Sequence, residues 1–195
     1  MRENRILRYG IGAACLVLPA LLFALGLWIP AYGEARLFRL PVALAAADLF
    51  LTATLYITAN CYGWKLACIA AAAGLAAAFF CGEVPHGGLL AAYALGCATY
   101  IVLACFMRKD DVRVRVAAPL FGKFVMVWLV GLQMVLPTMG EIGDLANTIS
   151  YTVSAPHVVT CLLGSALGAL ICTGLLGQPA NLEKRPEKEQ PKSEQ

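Results

Sequence analysis

Charge is nearly absent from six long stretches of this chain and is crowded into the gaps between them and into the two tails. The stretches run at about 9–31, 39–60, 65–82, 88–107, 117–137 and 152–177. Each is close to the roughly 20 apolar residues that a helix needs to cross about 30 Å of hydrocarbon. They are continuously apolar and do not alternate, which predicts helices rather than barrel strands. With 60% hydrophobic and 14% charged residues, the chain has more apolar surface than one water-soluble core of this size can hide, so lipid is expected to cover the remainder. The expected fold class is an all-α integral membrane protein, a six-transmembrane-helix bundle. It spans 1–178 as one multi-pass domain in the cell membrane, and a disordered, mixed-charge cytoplasmic tail follows over 179–195.

The basic residues set a direction. With a cytoplasmic N-terminus, the inner surfaces carry Arg2, Arg5, Arg8, Lys65, Arg108, Lys109, Arg113, Arg115, Lys184, Arg185, Lys188 and Lys192. The outer loops keep Arg36 and Arg39, and Lys123 lies inside the fifth stretch. This bias predicts both termini on the cytoplasmic side. Pro30, Pro41, Pro85 and Pro137 then fall near outer helix ends, where a missing N–H matters little. A secretory signal ending near Ala31-Tyr32-Gly33 is the alternative for the first stretch, but the run is longer than a usual signal core. The segment 108–115, RKDDVRVR, is the most charged internal piece and reads as a headgroup anchor or a contact for a cytoplasmic partner.

Eight cysteines are scattered over the stretches with no C-x-x-C and no histidine at metal spacing, as expected of buried thiols acting as small hydrophobes. A Cys61–Cys68 contact is the pairing considered from spacing, and a cytoplasmic location argues against a disulfide there. Two histidines exclude a multi-histidine metal site, and a heme between His86 and His157 has no support because both fall on the outer surface. No cofactor or metal is expected, and nothing points to a nucleic-acid partner. A Walker-type G-x-x-x-x-G-K-S/T is missing, so no ATPase activity is expected of the chain itself.

Asp48 follows Ala45-Ala46-Ala47 at about 12–15 Å from the outer helix end, near mid-membrane. A carboxylate there must be protonated, paired or exposed to a polar cavity. Lys123 lies at a similar depth from the opposite side. Either the two form an intramembrane ion pair, or Lys123 snorkels to the cytoplasm while Asp48 bonds Thr52 one turn along. Small residues at four-residue spacing form ridges at Gly10 and Ala14, at Ala20 and Ala24, and at Gly164 and Gly168. These serve packing within the bundle or contact with a separate membrane subunit.

A polar and aromatic group gathers toward the predicted outer face. Trp128 and Gln133 occupy the outer half of the fifth stretch, Asn147, Tyr151 and His157 lead into the sixth, and Tyr93 lies in the fourth. Such residues suit a small, flat polar ligand, and aromatic belts at the lipid interface are the competing explanation. Pro156 and Ser154 at the sixth entry are ordinary helix-start chemistry.

The organisation over about 9–177 resembles the substrate-binding S components of energy-coupling-factor (ECF) transporters. The features that carry the resemblance are six spans of this length with both ends inside, the Tyr62-Gly63-Trp64-Lys65 turn opening an Ala/Gly-rich third span, and the final helix SAPHVVTCLLGSALGAL at 154–170. The resemblance implies a vitamin or related micronutrient bound on the outer side through helices four to six, a transmembrane coupling subunit and two cytoplasmic ATPases. It implies a ligand role for the group containing Gln133, Asn147, Tyr151 and His157, and a coupling role for an Ala-x-x-x-Ala pair, matched in spacing by Ala20 and Ala24. Asp48 has no counterpart in that pattern. Two rival expectations are a proton-coupled secondary carrier using Asp48 and Lys123, and an intramembrane enzyme using His157 with Glu83 or Glu141.

Overall fold

The computed structural model describes residues 2–28, 36–37, 40–81, 87–107, 111–117, 119–135 and 155–176. The architecture is all-α. Six long helices and one short one are present among these residues: α1 (Arg2–Trp28), α2 (Val42–Ile57), α3 (Trp64–Phe80), α4 (Gly87–Phe106), α5 (Val112–Ala117), α6 (Leu120–Val135) and α7 (Ala155–Gly174). Two-residue strands Arg36–Leu37 and Leu40–Pro41 pair antiparallel just before α2.

The long helices fall on the six apolar stretches, and the differences have local causes. α1 starts at Arg2 rather than at the edge of apolarity, because arginine is a good helix former whichever solvent it faces. α6 begins immediately after the buried Pro119, whose fixed φ suits a helix start. Within the charged segment 108–115, Val112–Ala117 forms a helix and buries Arg115, so this piece is not solely a solvated anchor. α2 runs on into a π-helical turn, Thr58–Tyr62. There the Gly63 N–H donates to the Thr58 carbonyl at 2.7 Å. Widening a helix this way withdraws N–H groups from carbonyls below, and side chains supply donors in their place. Thr58 Oγ1 donates to the Thr54 carbonyl at 2.7 Å and Asn60 Nδ2 to the Tyr56 carbonyl at 2.9 Å. Gly63 then turns the chain at φ +102°, a region glycine enters without a Cβ penalty.

α2 is the hub, packed against α1, α3, α4 and α7. Its contact with α7 is the most extensive in the fold and depends on glycine. A Cβ on Gly168 would lie 2.8 Å from Tyr56 Cβ, and one on Gly164 would lie 2.9 Å from Thr52 Cβ. Gly164 and Gly168 therefore serve packing within the bundle. α4 and α6 meet in the same manner and antiparallel, since a Cβ on Gly122 would come 2.5 Å from the Tyr100 backbone nitrogen while Gly96 abuts Met126. Gly12 and the Arg8 carbonyl meet Tyr62, which sets α1 antiparallel to α2. One end of the bundle thus gathers the start of α1, the π turn, the start of α3 and the end of α7.

Polar and charged side chains are buried beside the apolar core, and large apolar side chains lie on the surface. Asp48, Thr52, Thr54, Thr58, Asn60, Arg115, Lys123, Thr160 and Ser165 are buried, whereas Phe80 (84% exposed), Phe106 (78%) and Leu170 (69%) face outward with many other large apolar side chains. Among the described residues, no helix is long and apolar enough to cross a membrane.

Candidate functional site: a buried carboxylate bridged by three helices

Asp48 projects from the N-terminal half of α2 into the centre of the bundle and is 2% exposed. Lys123, three residues into α6, is 4% exposed, and its Nζ donates to Asp48 Oδ1. Thr160 on α7 donates from Oγ1 to Asp48 Oδ2 at 2.6 Å. One carboxylate thereby joins α2, α6 and α7, with both oxygens engaged. The Thr52 hydroxyl bonds the Asp48 main-chain carbonyl at 2.8 Å, not the carboxylate. The carboxylate oxygens instead accept from Lys123 and Thr160, both far along the chain. Cys97, Cys161 and Met126 are buried, and the two thiols lie within electrostatic reach of both charges. One turn further along α7, Ser165 Oγ lies 2.9 Å from Tyr100 Oη on α4 and forms a second polar rung.

The physical consequence is a neutral pair in a site that water does not solvate. Removing two charges from water costs several kcal/mol per ion, and direct contact with added hydrogen bonds offsets that cost. A pair satisfied in this way dictates which helices are neighbours, because either charge alone in this environment is strongly unfavourable. Charge-assisted bonds of this type exceed neutral ones in strength.

The remaining sequence candidates are distributed along the same helices. Trp128 is exposed on α6. Tyr93 is half-buried on α4 and packs against the cluster formed by Ala47 and Ala78. Gln133 lies on α6 and His157 in the first turn of α7, both described by backbone position alone. By helical rise, His157 is about 4.5 Å along the axis from Thr160, and Gln133 about 15 Å from Lys123, toward the end where α2 begins. Asn147, Tyr151, Glu83, His86 and Glu141 lie outside the described residues. Ala20 and Ala24 are half-buried on α1.

Several polar groups found here were not distinguished in the sequence. Thr160 and Ser165 are hydroxyls inside an apolar helix, a common occurrence that marks neither as a partner. Arg115 stood among the basic residues of the inner surface, yet it is 4% exposed, and among the described residues its Nε and Nη2 have no hydrogen-bond partner. Tyr62 donates its hydroxyl to the Arg8 carbonyl at the α1–α2 junction. Partial burial, with smaller contributions from nearby thiols, pushes its phenol above the ordinary tyrosine value. Cys61 contacts Cys172 rather than Cys68. Among the described residues, no group of three or more metal-ligating side chains occurs. Compared with known proteins, the chain matches no family model, no curated protein and no solved structure.

Proposed function

We propose that the chain is a multi-pass cell-membrane protein that captures a vitamin or related micronutrient on its outer side, as the substrate-binding subunit of an ECF-type uptake transporter. The observation that carries membrane embedding is the combination of buried charge, at Asp48, Lys123 and Arg115, with large apolar side chains on the surface, Phe80, Phe106 and Leu170 among them. A bilayer is the solvent in which that distribution lowers the free energy, because charges such as Asp48 and Lys123 pair away from lipid and apolar side chains face it. Arg8, Lys65 and Arg113 lie toward the same end of the bundle, which supports assigning that end to the cytoplasm. The solute-binding role rests on the resemblance in the Tyr62-Gly63-Trp64-Lys65 turn and the 154–170 helix. The Asp48–Lys123–Thr160 bridge supports it by holding α6 and α7 in fixed relation, the helices that carry Trp128, Gln133 and His157. In this reading the chain performs no chemistry of its own and depends on a coupling subunit and ATPases.

The test is binding of a vitamin panel to the purified full-length chain, together with co-purification of coupling and ATPase subunits from the native membrane. Submicromolar binding of one vitamin, or recovery of the partner subunits, supports the proposal. Failure of both refutes it. The ion pair also favours a second reading, a proton-linked carrier in which Asp48 and Lys123 exchange a proton during transport. Uptake into ATP-free vesicles driven by a pH gradient, and lost in Asp48→Asn, would select that reading.

A further inference from the structure

α2 and α7 run side by side and parallel through four contacts. Thr160 meets Asp48, Gly164 meets Thr52, Gly168 meets Tyr56 and Cys172 meets Cys61. Along α7 every step is four residues, a single ridge of the helix surface. Along α2 the first two steps are also four, but the last, from Tyr56 to Cys61, is five. That step contains the π turn Thr58–Tyr62, which absorbs one additional residue. In an unbroken α-helix the four-residue step would end on Asn60, so the π turn brings a thiol to the position opposite Cys172. Thr58 and Asn60 stabilise the turn by bonding backbone carbonyls below it.

The two sulfurs lie 3.0 Å apart, and both residues are buried. A disulfide holds its sulfurs about 2.05 Å apart, so small side-chain rotations bring this pair to bonding distance. All eight cysteines are thiols in the structure.

We infer that Cys61 and Cys172 form a modification site, a reversible disulfide that staples the π turn to the last turns of α7. The oxidant is a low-molecular-weight disulfide of the glutathione type. The thiolate of one cysteine attacks a reagent sulfur, forming a mixed disulfide and expelling one reagent thiolate. The second cysteine, after giving up its proton, attacks the protein sulfur of that mixed disulfide and expels the second. Two protein thiols become one disulfide, the reagent disulfide becomes two thiols, and the two protons pass to them. The site requires only the α2–α7 register and does not rest on the transport proposal. In the proposed orientation it lies toward the cytoplasmic end, where a reducing pool keeps the pair open and oxidation closes it.

The experiment treats the full-length chain, in native membranes and in detergent, with oxidised glutathione. Remaining thiols are alkylated under denaturing conditions and the digest is mapped by mass spectrometry. The expected product is a cross-linked peptide joining residues 61 and 172. It should disappear on reduction, be lost in Cys172→Ala and persist in Cys68→Ala, which alters an exposed thiol. Mapping the wild-type chain requires no variant to fold. Recovery of Cys61 and Cys172 as separately alkylated peptides, as glutathione adducts without a cross-link, or linked through Cys15 instead would overturn the inference.

Discussion

Replacing Lys123 with methionine keeps most of the side-chain volume and removes the charge, so Asp48 loses its ammonium partner while Thr160 still donates to it at 2.6 Å. Both partners are almost fully buried, at 4% and 2% exposure, so water cannot take the place of the ammonium. Breaking a buried pair from one side costs about 3–5 kcal/mol. At about 1.4 kcal/mol per factor of ten, the unfolding constant should rise by roughly 100- to 4,000-fold. Asp48→Asn strands the lysine instead and should cost a similar amount. Thr160→Val deletes one hydrogen bond to a charged acceptor and should cost about 1.5–3 kcal/mol. The double variant Asp48→Asn with Lys123→Met strands neither charge, so its cost should fall below the sum of the two single replacements by up to about 3 kcal/mol. Equilibrium unfolding of the detergent-solubilised chain, followed by far-ultraviolet circular dichroism through an SDS titration, measures all four. Single variants within about 0.5 kcal/mol of the parent, or a strictly additive double variant, would refute the claim that the bridge holds α2, α6 and α7 together.

Other positions give independent checks. Gly122→Ala should destabilise by about 1–3 kcal/mol in the same titration, because its Cβ would approach the Tyr100 backbone nitrogen to 2.5 Å. Gly10→Ala meets nothing within 4 Å and should be neutral or stabilise α1 by up to about 1 kcal/mol. Folding raises the Tyr62 phenol above its ordinary value of 10.0, chiefly through desolvation, so folding favours the neutral form. The stability attached to that form is present below pH 10 and declines as pH rises through the raised value. Tyr62→Phe should flatten this alkaline decline, which thermal melts across an alkaline pH series would reveal. If the outward-facing apolar surface contacts lipid, the chain should remain with the membrane pellet through alkaline carbonate extraction, and release into the supernatant would contradict embedding.

The positions of the long helices were legible in the sequence because they depend on local composition. Runs such as 88–107 have no charge and ample helix formers, and their boundaries follow from nearby residues such as Pro119 and Gly63. Asp48 and Lys123 stood out for the same local reason, as charges inside apolar runs, but two outcomes remained open for them. The choice between those outcomes depended on residues 75 and 112 positions from Asp48, supplied by Lys123 and Thr160. No short window encodes such a meeting, since it results from the summed packing of whole helix faces. The same holds for Gly164 and Gly168, whose spacing suited either an internal or an external neighbour until α2 occupied that face. It holds most clearly for Cys61. Sequence spacing offered Cys68 as the one pairing to consider and favoured isolated buried thiols, whereas one additional residue in a π turn directs Cys61 toward Cys172, far along the chain. The sequence by itself determined where the helices and charges lie, because both follow from local preference and solvent. Tertiary structure decided which buried groups meet, because helix register is fixed by close contacts among residues far apart in the chain.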